Sequence, residues 1–482
     1  MLIMSRYPCH PLALREVLSS VKSDHSVVND NVVVSGITQD SRFIAAGDVF
    51  CCVRGETFNG GDYIDDAISA GAVAVVVDTI VPDVPAHIAV VTVPDVRQFL
   101  GPFASAIFGH PSRSLRMVGV TGTNGKTSTT SMIASILEAE GMSTQVIGTL
   151  SGERTTPEAI DLHAALRKWV NEDVTAVVME VSSHALVLHR VDGIMFEVAV
   201  FTNIGRDHLD FHKTEEAYFA AKARLFSSSL AKVGVVNTDD PKGSLLNDAA
   251  PIPMVGFSRH DAHDISLAVD HVAYSWNGLS VRIPMGGEFT LMNSLAAVTA
   301  ADAMGVSRES VAQGLLTMTP VPGRFEPITT TLGFGVIVDY AHTPESLQSV
   351  LVSARSMCAG RLIVVFGCGG NRDHGKRPLM GAIAEANADR VIVTSDNPRN
   401  EDPHRIIDDI FQGISNTAGH CSQEVDREIA IASAISEAER DDIVVIAGKG
   451  HEPTQDIAGV LHPFLDADVA RKYVAQREET TE

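Results

Sequence analysis

The stretch Val118–Thr130, which reads VGVTGTNGKTSTT, constrains the fold of this chain more than any other. An apolar run predicts a buried strand that stops at Thr121 and Gly122. Apolar residues at helical spacing after this loop predict a helix that ends at Gly141. The glycines in the loop let backbone N–H groups surround phosphate oxygens at a helix N-terminus. The stretch therefore predicts a site for a nucleoside triphosphate.

Two side chains of this loop suit phosphate chemistry. Lys126 can place a positive charge near the terminal phosphates, and the Thr127 hydroxyl suits Mg²⁺. The spacing departs from the usual P-loop, because Val120 stands where a glycine is expected, five residues before Gly125. The alternative is an ordinary strand-to-helix turn with a solvated lysine. We favour the phosphate site because strand, loop, lysine and helix coincide.

Composition limits the class of protein. The chain has 482 residues, of which 45% are hydrophobic and 20% charged, which suits a globular protein of about three domains. Its net charge of −23 argues against a nucleic-acid partner. The six cysteines lack metal-ligand spacing and suit reduced thiols, and no apolar run is long enough to span a membrane. We therefore expect a cytoplasmic protein that does not insert into a membrane.

Two Pro/Gly-containing segments, residues 109–113 and 319–323, divide the chain. They predict three domains, 1–112, 113–322 and 323–482. In the last two, buried-strand patterns alternate with helical ones and end in polar clusters. This arrangement predicts parallel α/β sheets, in which ligands bind at the carboxyl ends of the strands. In the first, the loops 38–42 and 55–60 flank a strand at Asp48–Val53, and both can equally be surface turns.

Nine motifs in this order together resemble the Mur ligases, the ATP-dependent amide ligases that build the peptide of peptidoglycan precursors. The motifs are GTNGKTS (Gly122–Ser128), MEVSSHAL (Met179–Leu186), FTNIGRDHLDFH (Phe201–His212), AAKARLF (Ala220–Phe226), GRFE (Gly323–Glu326), VDYAHTPESL (Val338–Leu347), FGCGGNRDHGKRPLM (Phe366–Met380), DNPRNEDP (Asp396–Pro403) and AGKGHE (Ala447–Glu452).

The resemblance implies both architecture and activity. It implies an N-terminal UDP-binding domain, a central ATP-binding domain with a P-loop ATPase-type parallel sheet, and a Rossmann-like, amino-acid-binding C-terminal domain. The implied reaction adds meso-diaminopimelate to UDP-N-acetylmuramoyl-L-alanyl-D-glutamate (UDP-MurNAc-L-Ala-D-Glu). ATP first phosphorylates the D-glutamyl carboxylate to an acyl phosphate, and the amine of diaminopimelate then displaces phosphate. We expect a monomer that uses ATP, Mg²⁺ and a carbamylated Lys222.

The resemblance also assigns roles to individual residues. The catalytic residues are Lys126, Glu180, His208 and Lys222. The ATP contacts are Gly122, Thr123, Asn124, Gly125, Lys126, Thr127, Ser128, Asn293, Arg324 and Asp339. The contacts to UDP-MurNAc-L-Ala-D-Glu are Ser41, Glu56, Thr57, Phe58, Thr155, Thr156, Ser182 and Arg190. The diaminopimelate contacts are Arg372, Asp396, Asn397, Pro398, Arg399, Gly448 and Glu452. The metal ligands are Thr127, Glu180, His208 and Lys222, the last as its carbamate.

Several of these residues have plainer alternatives. Glu180 suits Mg²⁺ as a hard oxygen ligand at a strand end, but it can also form an ordinary ion pair. The spacing around Lys222, on an Ala-rich helix, by itself favours a solvated lysine. The segment Asp396–Arg399 alone reads as an Asn-Pro turn with a surface arginine.

Three other functions stay open from the sequence. They are an L-lysine-adding ligase of the same family, a folylpolyglutamate synthase and a P-loop protein that acts as a nucleotide switch. An arginine that binds the distal carboxylate of diaminopimelate would disfavour lysine, because lysine leaves that arginine unpaired.

Overall fold

The computed structural model describes residues 7–55, 58–79, 84–152, 154–205, 207–415 and 419–481. The chain divides into two compact units, one of residues 1–257 and 296–311 and the other of residues 258–295 and 312–482. Within the described ranges, no helix is both long and apolar enough to cross a membrane.

The first unit begins with a mixed six-stranded sheet. Its elements are β1 (Tyr7–Ala13), α1 (Leu14–Ser19), β2 (Ser26–Val28), β3 (Val33–Thr38), β4 (Asp48–Cys51), α2 (Ile64–Ser69), β5 (Ala74–Val77), β6 (Ala89–Thr92) and α3 (Val96–Ile107). The strand order is β1-β3-β4-β5-β6-β2. The pairs from β3 to β6 are parallel, and the edge strands β1 and β2 are antiparallel to their neighbours.

The first unit continues with a second six-stranded sheet, in which every strand pair is parallel. Its elements are β7 (Arg116–Thr121), α4 (Lys126–Ala139), β8 (Thr144–Ile147), α5 (Ala159–Asn171), β9 (Ala176–Glu180), α6 (Ser183–Val187), β10 (Phe196–Phe201), α7 (Leu209–His212), α8 (Glu215–Ala223), β11 (Ala231–Asn237), α9 (Pro241–Ala249) and β12 (Met254–Phe257). The order β12-β11-β10-β7-β9-β8 places β7 between β9 and β10. The loops that follow these three strands therefore leave the same edge of the sheet.

The second unit contains a three-stranded antiparallel sheet, a six-stranded sheet and a hairpin. Its elements, with two helices that contribute residues to both units, are β13 (Ala262–Leu267), β14 (Val272–Trp276), β15 (Leu279–Ile283), α10 (Glu288–Ala303), α11 (Arg308–Thr317), β16 (Glu326–Ile328), β17 (Gly335–Asp339), α12 (Pro344–Met357), β18 (Leu362–Phe366), α13 (Lys376–Asn387), β19 (Arg390–Val393), α14 (Pro403–Phe411), β20 (Cys421–Gln423), α15 (Arg427–Glu437), β21 (Ile443–Ala447), β22 (Thr454–Ile457), β23 (Val460–Pro463) and α16 (Asp466–Thr481). The six-stranded order is β16-β17-β21-β18-β19-β20, and only β16 is antiparallel to its neighbour.

The predicted α/β class with parallel sheets is confirmed. The central strands β7, β9, β18 and β21 are almost fully buried, as expected for parallel strands that are covered on both faces. The domain boundaries 1–112, 113–322 and 323–482 stay a prediction.

Candidate active site

The loop between β7 and α4 has the backbone of a phosphate-binding turn. Gly122 has φ +155° and Gly125 has φ +84°. Residues other than glycine rarely adopt these backbone conformations. A Cβ at Gly122 would lie 1.9 Å from Thr202 Oγ1, so only glycine fits there. α4 begins at Lys126, directly after the loop, so its first N–H groups face the loop. This geometry suits the anion site that the sequence predicts, and the site stays a prediction.

The loop is fixed by residues that follow β10. Thr202 Oγ1 donates a hydrogen bond to the Asn124 carbonyl at 2.6 Å. Asn124 N in turn donates to Asn203 Oδ1 at 2.9 Å, and Thr123 N donates to the Asn203 carbonyl at 2.9 Å. Thr202 and Asn203 were not predicted as site residues. The signal that could have found them is their place as a polar pair at the end of a buried strand.

Lys126 is folded over its own loop. Its Nζ donates to the carbonyls of Gly122 and Thr123, both at 2.8 Å. The ammonium group is therefore held at the start of α4, where the helix dipole also favours an anion. Thr127 and Ser128 follow in the first turn, and both are buried.

Glu180 ends β9 beside this loop with only 1% of its surface exposed. Its Oε1 accepts hydrogen bonds from Thr127 Oγ1 at 3.0 Å and from Thr149 N at 2.9 Å. The Thr149 hydroxyl lies 3.3 Å from Oε2. These contacts come from neutral groups, which argues against the ion-pair alternative for Glu180. Carboxylate and hydroxyl oxygens side by side are the hard ligands that Mg²⁺ prefers, so the donor set fits this ion.

Lys222, on α8, is buried and not solvated. It is 1% exposed, and its Nζ donates to the Gly122 carbonyl at 2.8 Å. Burial, together with the positive charge of Lys126, holds the pKa of Lys222 well below its usual range. A neutral amine is the form that reacts with CO₂, so this environment fits the predicted carbamate.

Tyr218 connects Lys222, His208 and the loop. The Lys222 Nζ lies 4.4 Å from the centre of the Tyr218 ring, and the ring of His208 lies 6.2 Å from it. The Tyr218 hydroxyl is 3.1 Å from Thr123 Oγ1. His208 has φ +53°, and its Nε2 lies 3.3 Å from Asp207 Oδ2. Both predicted metal ligands of this region thus flank one tyrosine that the sequence did not single out.

Four of the residues predicted to contact UDP-MurNAc-L-Ala-D-Glu also lie together. Thr156 Oγ1 accepts a hydrogen bond from Ser182 N at 3.0 Å, and its carbonyl accepts one from Arg190 Nη1 at 3.3 Å. Thr155 Oγ1 lies 3.1 Å from Thr149 Oγ1, which contacts Glu180. The group is thereby connected to the carboxylate at the end of β9.

Two of the remaining predicted contacts to this substrate, Ser41 and Phe58, lie in connections between strands of the N-terminal sheet. Ser41 begins the short 3₁₀ helix Ser41–Phe43, and Phe58 is exposed. Glu56 and Thr57 lie outside the described residues. Among the described residues, no hydrogen bond or ion pair joins Ser41 or Phe58 to the Thr156 group.

Three predicted adenosine contacts lie in the second unit. Asp339, at the end of β17, accepts hydrogen bonds from Phe325 N at 2.7 Å and from Ala341 N at 2.8 Å. Burial raises the pKa of Asp339, and the nearby Arg324 opposes that shift. The Arg324 guanidinium lies 4.7 Å from the centre of the Tyr340 ring, and its Nε is buried without a hydrogen-bond partner. Asn293, on α10, is buried.

The predicted diaminopimelate contacts gather at the ends of β18, β19 and β21. Asn397 Nδ2 donates to Glu452 Oε2 at 2.6 Å. Gly448 has φ +116°, and a Cβ there would lie 2.6 Å from Asp396 Oδ2. A Cβ at Gly370 would lie 1.9 Å from the carbonyl oxygen of Pro398, so this segment requires glycines at its closest approaches.

Arg399 and Arg372 both lie close to Gly369. A Cβ at Gly369 would lie 3.0 Å from Arg399 Nη1 and 3.8 Å from Arg372 Cγ. Arg399 is half-buried with φ +51°, and its Nη1 donates to the Gly370 carbonyl at 2.7 Å, whereas Arg372 is exposed. The Arg399 guanidinium beside this glycine suits a carboxylate, and its role in binding diaminopimelate stays a prediction.

Lys449 and the β22–β23 hairpin support this segment, and neither was predicted to do so. The Lys449 side chain is fully buried, and its Nζ donates to the Thr454 carbonyl at 2.6 Å and lies 3.5 Å from Glu452. Arg399 N donates to the carbonyl of Asp456 at 2.9 Å. The signal for Lys449 is the AGKGHE motif, in which it stands between two glycines.

Family models cover most of the chain. The Mur ligase middle domain matches residues 120–301, the glutamate ligase domain of the Mur ligases matches 323–450, and the catalytic domain of the Mur ligase family matches 33–107.

Individual relatives agree with these models. A UDP-N-acetylmuramoyl-L-alanyl-D-glutamate–2,6-diaminopimelate ligase of Caldanaerobacter subterraneus subsp. tengcongensis is 40% identical, over 97% of this chain and 100% of the relative. A solved structure of a ligase with the same name is 32% identical with a TM-score of 0.72, over 97% of this chain and 100% of that one. The MurF ligase of Thermotoga maritima, solved in complex with ADP, shares the fold at 18% identity, with a TM-score of 0.58 over 92% of this chain and 98% of that one. Because the similarity runs through all the sheets and not through one motif alone, the chain belongs to the Mur ligase family.

Proposed function

We propose that this chain is an ATP-dependent ligase that adds meso-diaminopimelate to UDP-MurNAc-L-Ala-D-Glu through an acyl phosphate. The observation that carries the proposal is the 40% identity to a ligase of that name along the whole length of both chains. The second support is geometric, because the Arg399 guanidinium lies beside Gly369, close to the Arg372 side chain, where a distal carboxylate can bind.

The phosphate loop and Lys126 act in the first step. The D-glutamyl carboxylate attacks the γ-phosphorus of ATP, which gives an acyl phosphate and ADP. Lys126, held at the helix N-terminus, provides positive charge for the transferring phosphoryl group. The glycines of the loop allow backbone N–H groups to approach the phosphates.

The residues around Glu180 would hold Mg²⁺. Thr127 and Glu180 offer one set of oxygen ligands, and a carbamylated Lys222 with His208 would offer the other. The chemistry that Mg²⁺ supplies at such a site is neutralisation of the charge on the phosphates. Burial lowers the pKa of Lys222, which favours the neutral amine that reacts with CO₂.

The second unit would bind the amino acid. In the second step the amine of diaminopimelate attacks the acyl carbon, phosphate leaves with the bonding electrons, and an amide forms after loss of a proton. Asn397, Glu452 and Lys449 form a connected polar group beside the two arginines. Such a group can orient an amino acid by both its charged ends.

The experiment is product analysis by mass spectrometry. The full chain is mixed with ATP, Mg²⁺ and UDP-MurNAc-L-Ala-D-Glu, and with either meso-diaminopimelate or L-lysine. We expect the diaminopimelate tripeptide, ADP and phosphate in equal amounts, and no ATP hydrolysis in Lys126→Ala. Preferential formation of the lysine product would favour the lysine-adding function. Vigorous ATP hydrolysis without an acceptor and with no ligated product would favour a nucleotide switch.

Two finer features belong to the same proposal. A cytoplasmic location agrees with an enzyme that uses ATP and with six cysteines that are all free thiols. We also propose that the chain acts as a monomer, because each predicted substrate contact is supplied by a residue of the single chain. Sedimentation analysis of the purified chain tests this second point.

A further inference from the structure

Three side chains of different chemistry meet at the outer edge of the C-terminal sheet. Glu385 lies on α13, His420 directly precedes β20, and Cys421 is the first residue of that strand. One ligand atom from each lies within 4.8 Å of the other two. In the described part of the chain, no other group of three or more His, Cys, Asp or Glu side chains is arranged in this way. None of the three belongs to the predicted substrate or metal residues.

His420 has an unsatisfied nitrogen at this place. Its Nε2 is buried and has no hydrogen-bond partner, and such a group normally costs about 1–3 kcal/mol. The carbonyl of His420 accepts hydrogen bonds from Val391 N at 3.0 Å and from Arg390 Nη1 at 3.2 Å, which fix the backbone. A cation bound to the ring nitrogen would satisfy it.

The other two donors are also positioned for a cation. Cys421 is buried. Burial, and to a lesser extent the negative charge of Glu385, raises the pKa of its thiol. A metal must therefore displace the thiol proton as it binds. Ser415 donates to both oxygens of Glu385, from its N at 2.8 Å and from its Oγ at 2.9 Å. Outer contacts of this type orient a carboxylate that holds a metal.

Arg390, a positive group close to the three side chains, is already paired with Glu437. Arg390 donates from Nε and Nη2 to Glu437, at 2.9 and 3.2 Å. Its charge is thus shared with a carboxylate outside the trio, which reduces its repulsion of a bound cation.

We propose that Glu385, His420 and Cys421 bind a zinc-type divalent cation, with water as the fourth ligand. Thiolate, imidazole and carboxylate are the ligands that zinc accepts, and a three-ligand site leaves one position open. Donors around zinc lie about 3.3–3.8 Å apart when bond lengths are near 2.0–2.3 Å. The present separations, which are at most 4.8 Å, would have to shorten by about 1 Å as the ion binds. The bound ion would join the edge strand β20 to α13 and stabilise the folded state.

The test uses Co²⁺ as a spectroscopic substitute for zinc in the chelator-treated full chain. A thiolate-to-cobalt absorption band reports Cys421 directly and is blind to sites with only oxygen and nitrogen ligands. We expect one equivalent of Co²⁺ to produce the band and one equivalent of Zn²⁺ to abolish it. The matched control is Cys358→Ser, which removes a half-buried thiol elsewhere in the same unit and should keep the band.

Variants of the trio complete the test. Cys421→Ser should lose the band, and His420→Gln should weaken Co²⁺ binding at least ~10-fold. Zn²⁺ should raise the melting temperature of the wild type but not of Cys421→Ser. Circular dichroism and ligase activity, both unchanged in Cys421→Ser, establish that this variant folds. No band in the wild type, or a band that Cys421→Ser retains, overturns the proposal.

Discussion

Two lysines share one backbone carbonyl at the phosphate loop. The Nζ atoms of Lys126 and Lys222 both lie 2.8 Å from the Gly122 carbonyl oxygen. Two ammonium groups this close repel each other. Burial of Lys222 and the positive charge of Lys126 therefore lower the pKa of Lys222. The lowered pKa favours the neutral form of Lys222 beside this carbonyl.

We expect Lys222→Ala to lose about 10²–10³-fold in ligase rate, because an anionic ligand for the metal is removed. A small carboxylate such as acetate should restore part of the activity, since it can stand in for the carbamate. The measurement is phosphate release with saturating substrates. Lys232→Ala, which changes an exposed lysine of β11, is the control and should keep the wild-type rate. Full activity in Lys222→Ala would remove the carbamate from the mechanism.

Gly122→Ala should destabilise the chain and weaken ATP binding. The new Cβ meets Thr202 Oγ1 at 1.9 Å, and φ is +155°. Overpacking of this kind costs about 1–3 kcal/mol beyond the backbone strain. Gly141→Ala is the matched control, because Gly141 also has positive φ but has no atom within 4 Å of the added Cβ. Equal shifts of the urea midpoint in both variants would mean that the contact with Thr202 does not matter.

At the scale of the element, the parallel strands were predicted from the sequence and the antiparallel ones were not. Strands such as β18 and β21 are continuous apolar runs that end in polar clusters, so their position is visible in sequence. The hairpin between β14 and β15 turns at Asn277 and Gly278, both with positive φ. Asn-Gly is the sequence signal for such a turn, so this hairpin is visible in the sequence. The β22–β23 hairpin turns at Ala458 and Gly459, where alanine hides the pattern.

Some residues of the candidate site were likewise predicted from the sequence, and others were not. Residues within motifs, such as Glu180 and Arg399, were found because a strand end or a resemblance marked them. The burial of Lys222 was not predictable from its Ala-rich helix, because burial depends on the loop that packs against it. Thr149 and Tyr218 make their contacts through distant parts of the chain, for which no local pattern exists. The roles of all these residues in catalysis stay predictions.

A buried ion pair joins the start of α15 to the start of α16. Arg427 and Asp466 are completely buried and 2.7 Å apart, and Arg427 Nη2 also donates to the Ala447 carbonyl at 3.0 Å. Another contact reaches the carbonyl of Ser395, which precedes the diaminopimelate motif. The pair therefore holds together two helices and the two loops that are predicted to bind diaminopimelate.

We expect Asp466→Asn to destabilise the second unit by about 3–5 kcal/mol, because it leaves the buried charge of Arg427 without its partner. Lys472→Ala is the matched control. It breaks an exposed pair with Glu428 between the same two helices, and solvent screens such a pair so that its loss should change stability little. The measurement is urea unfolding followed by circular dichroism. Similar midpoints for the two variants would contradict the assigned role of the buried pair.

At the scale of the whole molecule, the predicted contacts fall into two sets on two units. The phosphate loop, Glu180 and Lys222 belong to the first unit, and the arginines beside Gly369 belong to the second. The predicted adenosine contacts Asn293, Arg324 and Asp339 also belong to the second unit, but Arg372 and Arg399 are not among them. Changes in Arg372 or Arg399 should therefore affect the amino acid and leave nucleotide binding unchanged.

Arg399→Ala tests this separation of roles and the choice of amino acid together. Loss of a charge-assisted hydrogen bond costs about 1.5–3 kcal/mol, so kcat/KM for meso-diaminopimelate should fall about 10- to 150-fold. The KM for ATP should change little. The wild type should prefer diaminopimelate over L-lysine by up to about 10⁴-fold, because lysine leaves the half-buried Arg399 guanidinium without a carboxylate partner. Arg405→Ala, an exposed arginine on α14, controls for a general loss of positive charge. Equal use of both amino acids by the wild type would rule out the proposed acceptor and favour the lysine-adding function.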